Sequence, residues 1–472
     1  MQLIETGAGP VRKLGRIAAG LSMLSANLLG ASAALAQDSG EDEPQVVVHD
    51  LMKEPAPGPN TYVYDSSILF YKESGSRVQA VEPVFNVQNY LANGSIISGN
   101  FTFDTLTGAT PNGATPSTSD QTFNSIVREK TTSTQVTSTG ASGGGTVTTI
   151  PGTAYAKSSY TVPARTLPLA SFHDHRFAGN GGLSWLANPD TRLNVGLGAS
   201  VERDYTSFTA NFGIARDLNQ KNTTLSLSVN LEEDISRPYN GTPSPFQELN
   251  SQIGGGNDTK ATYGVLAGVS QTLARFWITQ VNFNLSGSKG YQADPYRIVS
   301  VVDPVSGAPL DYLFESRPRS RTRESVYWGN KLALGPTVAD VSVRYYHDTW
   351  GINSLTAEVS EQIPLGGSLY IKPLYRYYHQ TAANFFTYYL VNGNALPAYA
   401  SSDSRLSRFN ANTIGGKIGV RVFKTGEFYV EGESYRQTGA HTVANAPGQL
   451  SGLDLFSGVH AISVMTGLRL RM

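Results

Sequence analysis

The sequence predicts an all-β protein, a 16-stranded antiparallel transmembrane β-barrel. Three observations carry this. Segments about ten residues long alternate strictly between apolar and polar. The polar face of each segment is small and hydrophilic. The long connections all fall on one side of the strand count. The alternation is plainest between Thr191 and Asp234, where Leu193, Val195, Leu197, Ala199 and Val201 alternate with Asn194, Gly196, Gly198 and Ser200. Phe208, Ala210, Phe212 and Ile214 repeat the pattern, as do Leu225, Leu227, Val229 and Leu231. Period 2 is the signature of a strand, and about ten residues is what a tilted strand needs to cross the hydrocarbon core.

Composition agrees. The chain has 472 residues, 48 glycines, 24 tyrosines and no cysteine, which excludes disulfide frameworks, thiolate metal sites and cysteine nucleophiles. A net charge of −1 gives no reason to expect nucleic acid as a partner. Mean hydropathy is −0.22, and only the N-terminus carries a candidate helical membrane segment. A barrel accounts for this, because half of each strand faces water. A soluble sandwich would require neither strands of this length nor one-sided loops.

Residues 1–36 read as a secretory signal peptide. Arg12, Lys13 and Arg16 form the basic region, Ile17 to Leu29 the short apolar run, and Ala34-Leu35-Ala36 the cleavage pattern. Residues 37–60 are acidic and proline-rich and read as a periplasmic linker. Residues 61–472 are assigned to an outer-membrane β-barrel. Its sixteen strand candidates lie near 61–72, 77–91, 95–105, 175–186, 191–203, 205–217, 222–234, 260–273, 275–289, 323–334, 338–350, 352–364, 368–378, 410–423, 427–436 and 457–472. Every even-numbered connection is short, for example Ala92-Asn93-Gly94 and Gly335-Pro336-Thr337. The long ones, 106–174, 235–259, 290–322, 379–409 and 437–456, are all odd-numbered. This places the termini in the periplasm and the long loops, above all the extracellular loop 106–174, at the cell surface.

The outward face carries Phe101, Phe103, Trp185, Phe283, Trp328 and Ile462, with aromatics such as Tyr62, Tyr64, Trp277 and Tyr375 toward the strand ends. These suit lipid and its two interfaces. The expected partners are therefore outer-membrane lipids and the outer-membrane assembly machinery. The terminal Met472 departs from the aromatic residue with which many such barrels end.

Strand parity sends Glu202, Glu232 and Asp234 inward on one wall. Arg344, Glu358, Lys372, Arg376, Lys417 and Arg421 point inward on the other. Two readings stay open: a transverse field across a water-filled lumen, or a paired network that holds the barrel's shape. Asp104, Asn112, Asp174 and Arg176 stand where the longest loop leaves and re-enters the wall and are expected to organise the mouth. His173 and His175 flank Asp174 and are weak metal candidates. Adjacent strand residues point to opposite sides, so no metal site and no cofactor is expected. No G-x-S-x-G occurs, and neither His347 nor His379 has a serine at a diagnostic spacing, so the chain is not read as an enzyme.

Within 106–174, Leu106 to Phe123 and Tyr155 to Phe172 have ordered-looking composition, while Thr131 to Thr149 is nearly all Thr, Ser and Gly. Two ordered stems that narrow the mouth are expected, flanking a mobile or weakly hairpinned tip.

Several motifs resemble those of the domain-of-unknown-function 3570 family of Gram-negative bacteria. They are Asp65-Ser66-Ser67, Tyr71-Lys72-Glu73 with Arg77-Val78, the run Asp104 to Ala114, Ser171-Phe172-His173-Asp174 with Arg176, and Arg216 to Leu225. The likeness spans essentially the whole mature chain. It implies an outer-membrane barrel of unassigned activity. It also implies, as a partner, a small lipoprotein, because family members tend to be encoded near one, together with a thioredoxin-like protein and a flavin-attaching transferase. The expected function is a passive porin-like channel for small polar solutes. The alternatives are a structural sleeve or docking barrel for a periplasmic lipoprotein or redox partner and, behind it, a membrane-embedded hydrolase.

Overall fold

The computed structural model describes residues 58–75, 77–138, 145–251 and 256–472. The signal peptide assigned to 1–36 and all but the last three residues of the linker assigned to 37–60 lie outside the described residues. The strands run in chain order as β1 Thr61–Glu73, β2 Gln79–Tyr90, β3 Ile96–Pro111, β4 Gln121–Ser138, β5 Gly145–Val162, β6 Leu169–Asn188 and β7 Thr191–Glu202. Next come β8 Tyr205–Leu218, β9 Thr223–Ser236, β10 Asp258–Ala274, β11 Trp277–Gly290, β12 Ile298–Val302, β13 Pro309–Phe314 and β14 Ser320–Leu334. The chain ends with β15 Thr337–Asp348, β16 Asn353–Pro364, β17 Leu369–Gln380, β18 Leu390–Val391, β19 Phe409–Val422, β20 Gly426–Gly439 and β21 His460–Arg471.

Sixteen of these strands close into one antiparallel barrel, in the order β1-β2-β3-β6-β7-β8-β9-β10-β11-β14-β15-β16-β17-β19-β20-β21. They correspond one for one to the sixteen strands expected from alternation. Closure removes the unpaired edges that an open sheet would expose to lipid. The seam is β1 against β21, with Asp65 opposite Arg469. All seven connections at one end are short. The turn between β14 and β15 is only Gly335-Pro336, and Gly335 sits there at φ +66, a conformation natural to glycine.

The outer wall is apolar and open to its surroundings. Phe85, Phe101, Phe208, Phe212, Trp328 and Ile462 are each about half exposed or more. Exposed aromatic and aliphatic side chains all round a closed barrel belong in lipid. The inner wall is polar. In mid-strand, inward residues such as Asn86, Asn180, Asn211 and Glu358 keep part of their surface open, whereas Gln280, Asn282, Val338 and Ser360, nearer the short turns, are buried. Toward the long-loop end inward residues are buried around the circumference, as with Glu82, Asp104, Arg176, Asp234, Ser288, Arg321 and Asp348.

Part of that burial is an apolar plug inside the wall. Tyr71, Val78, Leu106, Phe172, Tyr378 and Tyr435 point inward near the long-loop end and pack with Phe456 from the connection between β20 and β21. The rest comes from the loops themselves. Strands β13, β12 and β18 form a small sheet, and β4 pairs with β5 as a long hairpin. The Thr/Ser/Gly run at 131–149 was expected to be a mobile or weakly hairpinned tip. Its described residues, 131–138 and 145–149, belong to this hairpin, the second of those alternatives, in register from Gln121 opposite Val162 to Ser138 opposite Gly145. The wall also extends farther into this connection than the expected 105 and 175, with β3 reaching Pro111 and β6 starting at Leu169.

Candidate functional site

The site is the lumen together with the loop layer that closes one end. Antiparallel pairing puts opposite residues on the same face, so the register decides which inward charges meet. Arg376 stands opposite Glu358 and bonds it at 2.6 Å, with Glu433 3.9 Å away on its other side. Lys372 reaches Asp340 at 3.0 Å, and Lys331 approaches the same carboxylate at 3.7 Å. Lys417 pairs with Glu427 at 3.0 Å and lies 3.9 Å from the centre of the Tyr429 ring. Arg344 sits over the Tyr327 ring at 5.9 Å. Arg421 stands opposite Glu427 in the register, near the short-turn end. On the other wall Asp234 is buried against Lys260 at 2.8 Å. Glu202 stands opposite Arg176, and Glu232 opposite Thr209 and Thr262. Lys372, Arg376 and Lys417 thus each meet an acid, on β15, β16 and β20 respectively. Asp340, which neutralises two lysines, was absent from the expected residues although it shares a face with Ser342 and Arg344.

The residues expected to organise the mouth divide into two groups. Asp104 and Arg176 form a buried pair, with Nη2 at 2.6 Å and Nε donating at 2.7 Å to the same oxygen. They brace β3 against β6 inside the wall. Asp174 faces inward beside them and accepts from the His175 backbone N–H at 2.9 Å. Asn112 does tie loops together. Its amide donates to the Tyr160 hydroxyl at 2.8 Å, its side-chain oxygen accepts from Ala114 N–H, and its carbonyl accepts from Ile298 N–H at 2.9 Å.

From Asn112 onward the loops interlock. Thr115 N–H donates to the Ser300 hydroxyl at 3.0 Å, and Ser402 Oγ donates to the carbonyls of Gly113 and Ile298 at 2.6 and 2.7 Å. Thr118 N–H donates to Gln449 Oε1 at 2.9 Å. A cluster of Ala114, Phe123, Val162, Ile298 and Phe314 fills the space beneath. At the centre lies a buried ionic cluster that sequence reasoning missed. Arg317 binds Glu315 through Nε at 2.7 Å and Asp403 through Nη2 at 2.8 Å. Arg405 binds Asp403 at 2.6 Å, and Arg297 lies 3.7 Å from it. Glu315 also accepts from the Asp294 N–H and the Ser401 hydroxyl, both at 2.5 Å.

Burial pushes the Glu315 carboxyl above its ordinary value, Arg317 offsetting only part of this. Burial also works against the Asp403 carboxylate, but Arg297, Arg405 and Arg317 together outweigh it and hold Asp403 well below the usual range. The cluster couples the connection between β11 and β14 to the one between β17 and β19. The alternation Glu315-Ser316-Arg317 was the one sequence signal, two opposite charges on the same face of an extended segment.

His173 and His175 project from the outer face of β6, exposed, with their Nε2 atoms 3.0 Å apart. Asp174 points the other way. No group of three or more His, Cys, Asp or Glu side chains suited to a metal ion occurs among the described residues. His347 and His379 share hydrogen bonds with Asn353 and Asn410 at 2.9 and 2.7 Å.

A family model described as "Protein of unknown function (DUF3570)" matches residues 25–470. No curated protein matches the sequence. Solved structures with a similar course include a bacterial polysaccharide outer membrane secretin, at 8% identity and TM-score 0.41, covering 88% of this chain and 99% of that one. The outer membrane protein opdK from Pseudomonas aeruginosa has 8% identity and TM-score 0.36, covering 87% and 99%. OccAB1 from Acinetobacter baumannii has 7% identity and TM-score 0.37, covering 87% and 96%. At such values nothing about the cargo of those proteins transfers to this chain.

Proposed function

The chain belongs to the DUF3570 family of proteins of unknown function, and from that premise we propose that it is an outer-membrane channel for small polar solutes, closed at its long-loop mouth in this conformation. The observation that supports this reading is the division of the wall. Large apolar side chains are exposed outside, while inside a band of polar side chains keeps part of its surface accessible. An accessible polar wall is what passage of small polar solutes requires. With short turns in the periplasm, the loop layer faces the exterior, and residues 1–36 would direct export. Protease added to intact cells should then cut within 235–259. Cuts obtained only after spheroplasting would reverse the orientation. Conductance in planar bilayers tests the channel itself. Steps are expected to be rare or small for the full chain and steady once the loop layer is unlocked. A barrel that stays silent with its loops unlocked would refute the reading.

The interlocked loop layer over one end favours one second reading, a docking barrel that receives a periplasmic partner such as a small lipoprotein. Such a sleeve would show no steady conductance in any loop variant.

A further inference from the structure

One wall of the lumen carries a band of carboxamides with no charge among them. Asn86, Asn100 and Asn180 stand opposite one another across β2, β3 and β6, and the row continues to Gly198 on β7. One two-residue step down β7, Gly196 starts a second row through Asn211 on β8 and Asn230 on β9. Asn194 stands below it on the same face of β7. The amides are linked and held flat. Asn100 Nδ2 donates to Asn86 Oδ1 at 2.6 Å. A Cβ on Gly198 would lie 2.0 Å from Asn180 Oδ1, and one on Gly196 would lie 2.6 Å from Asn211 Nδ2. The two glycines are thus the floor on which the neighbouring amides rest. All six amides keep part of their surface open, and Asn211 is exposed.

The charges bordering this band lie at its edges. Asp104, paired with Arg176, closes it toward the loops, with Glu232 at the margin next to Asn230. Arg192, bonded to Ser184 and the Gly94 carbonyl, closes it toward the short turns. Across the lumen stand the neutralised pairs Glu358–Arg376 and Asp340–Lys372. A carboxamide offers a donor and an acceptor in one plane and no net charge. A row of them matches successive hydroxyl groups. An ionic solute would give up hydration there for no counter-charge.

We propose that this carboxamide band is a binding site for neutral polyhydroxylated solutes, of the saccharide class. The proposal rests on the channel reading and narrows its solute. Binding is measurable without conduction, because all six amides keep part of their surface accessible.

The test is saturation-transfer NMR on the full barrel in a zwitterionic detergent that carries no sugar headgroup, titrated with maltotriose and separately with potassium gluconate. Maltotriose should bind saturably, and roughly tenfold or more tighter than gluconate. Asn100→Leu with Asn180→Leu should weaken maltotriose roughly tenfold. Asn211→Asp is nearly isosteric and sits at an exposed position, so it guards against misfolding. It should weaken the sugar and bring in a preference for cations. Equal responses to maltotriose and gluconate, or a maltotriose response unmoved by either variant, would overturn the proposal. Bilayer conductance in potassium chloride separates the two ideas. A barrel that conducts but does not bind maltotriose sinks this inference and leaves the channel. One that binds it but stays silent with its loops unlocked sinks the channel and leaves the band.

Discussion

Replacing Arg317 with methionine should open the loop layer, and the size of the effect can be worked from the cluster. Asp403 would keep Arg405 at 2.6 Å and Arg297 at 3.7 Å. Glu315 would keep only its bonds from Asp294 N–H and the Ser401 hydroxyl, with no cation in contact. Stranding one member of a buried pair costs about 3–5 kcal/mol. Protonation sets a ceiling on that cost. Neutralising a carboxyl of ordinary pKa about 4.3 costs about 4 kcal/mol at pH 7 and only about 1 kcal/mol at pH 5. The open population at pH 7 should therefore rise roughly a hundred- to a thousandfold, and most of the rise should vanish at pH 5. The sign follows from linkage: the carboxyl is harder to ionise in the closed state, so the closed state gains as pH falls. Hydrogen exchange of the amides in 112–121 and 298–302, corrected for intrinsic rates, reads this directly. Adding Glu315→Gln should restore protection at pH 7. Unchanged protection in the single variant, or a loss of equal size at both pH values, would refute the reasoning.

Four further outcomes are expected. In the unmodified chain the loop layer should stay closed from pH 7 to about pH 4, since Asp403 contributes stability above the ordinary aspartate value of about 3.9 and loses it only as pH falls through its lower folded value; loss of exchange protection at pH 5 would contradict this. Phe456→Ala should destabilise the plug by about 3–5 kcal/mol, read as a lower guanidinium midpoint. Gly439→Ala should loosen the same region, because its Cβ would lie 2.4 Å from the Phe456 ring. Deleting 128–152 should leave bilayer conductance nearly unchanged, whereas deleting 113–120 removes the bonds to Ser300, Ser402 and Gln449 and should raise it; equal, negligible effects would place this loop outside the gate.

The wall was legible because a lipid-facing strand states its face at every second residue. Leu193 to Val201 can be read as a strand without knowing any partner, and one miscounted strand would have put a long loop among the short turns. The lumen was legible only by face. That Arg376 points inward follows from parity, but that it meets Glu358 rather than open water depends on how β16 aligns with β17, which neither strand encodes alone. The ionic cluster was still less accessible. Its charges come from two connections, around 294–317 and 403–405, and no periodicity links them. The carboxamide band combined both limits: each asparagine was legible as inward, and the row only through five pairings.

The seam carries a consequence for assembly. Arg469 donates to Asp65 at 3.0 Å across a separation of 404 residues, and the backbones of Tyr62 and Met472 exchange hydrogen bonds at 2.8 and 2.9 Å. Neither edge of the sheet can be satisfied by a neighbour in sequence. Until β21 arrives, β1 presents a row of unpaired amides that lipid cannot solvate, at several kcal/mol each if exposed there. A chain that stops short of β21 is thus not a slightly weaker barrel but an open sheet with two reactive borders, a substrate for envelope proteases. Closure of the sheet therefore waits on synthesis of β21.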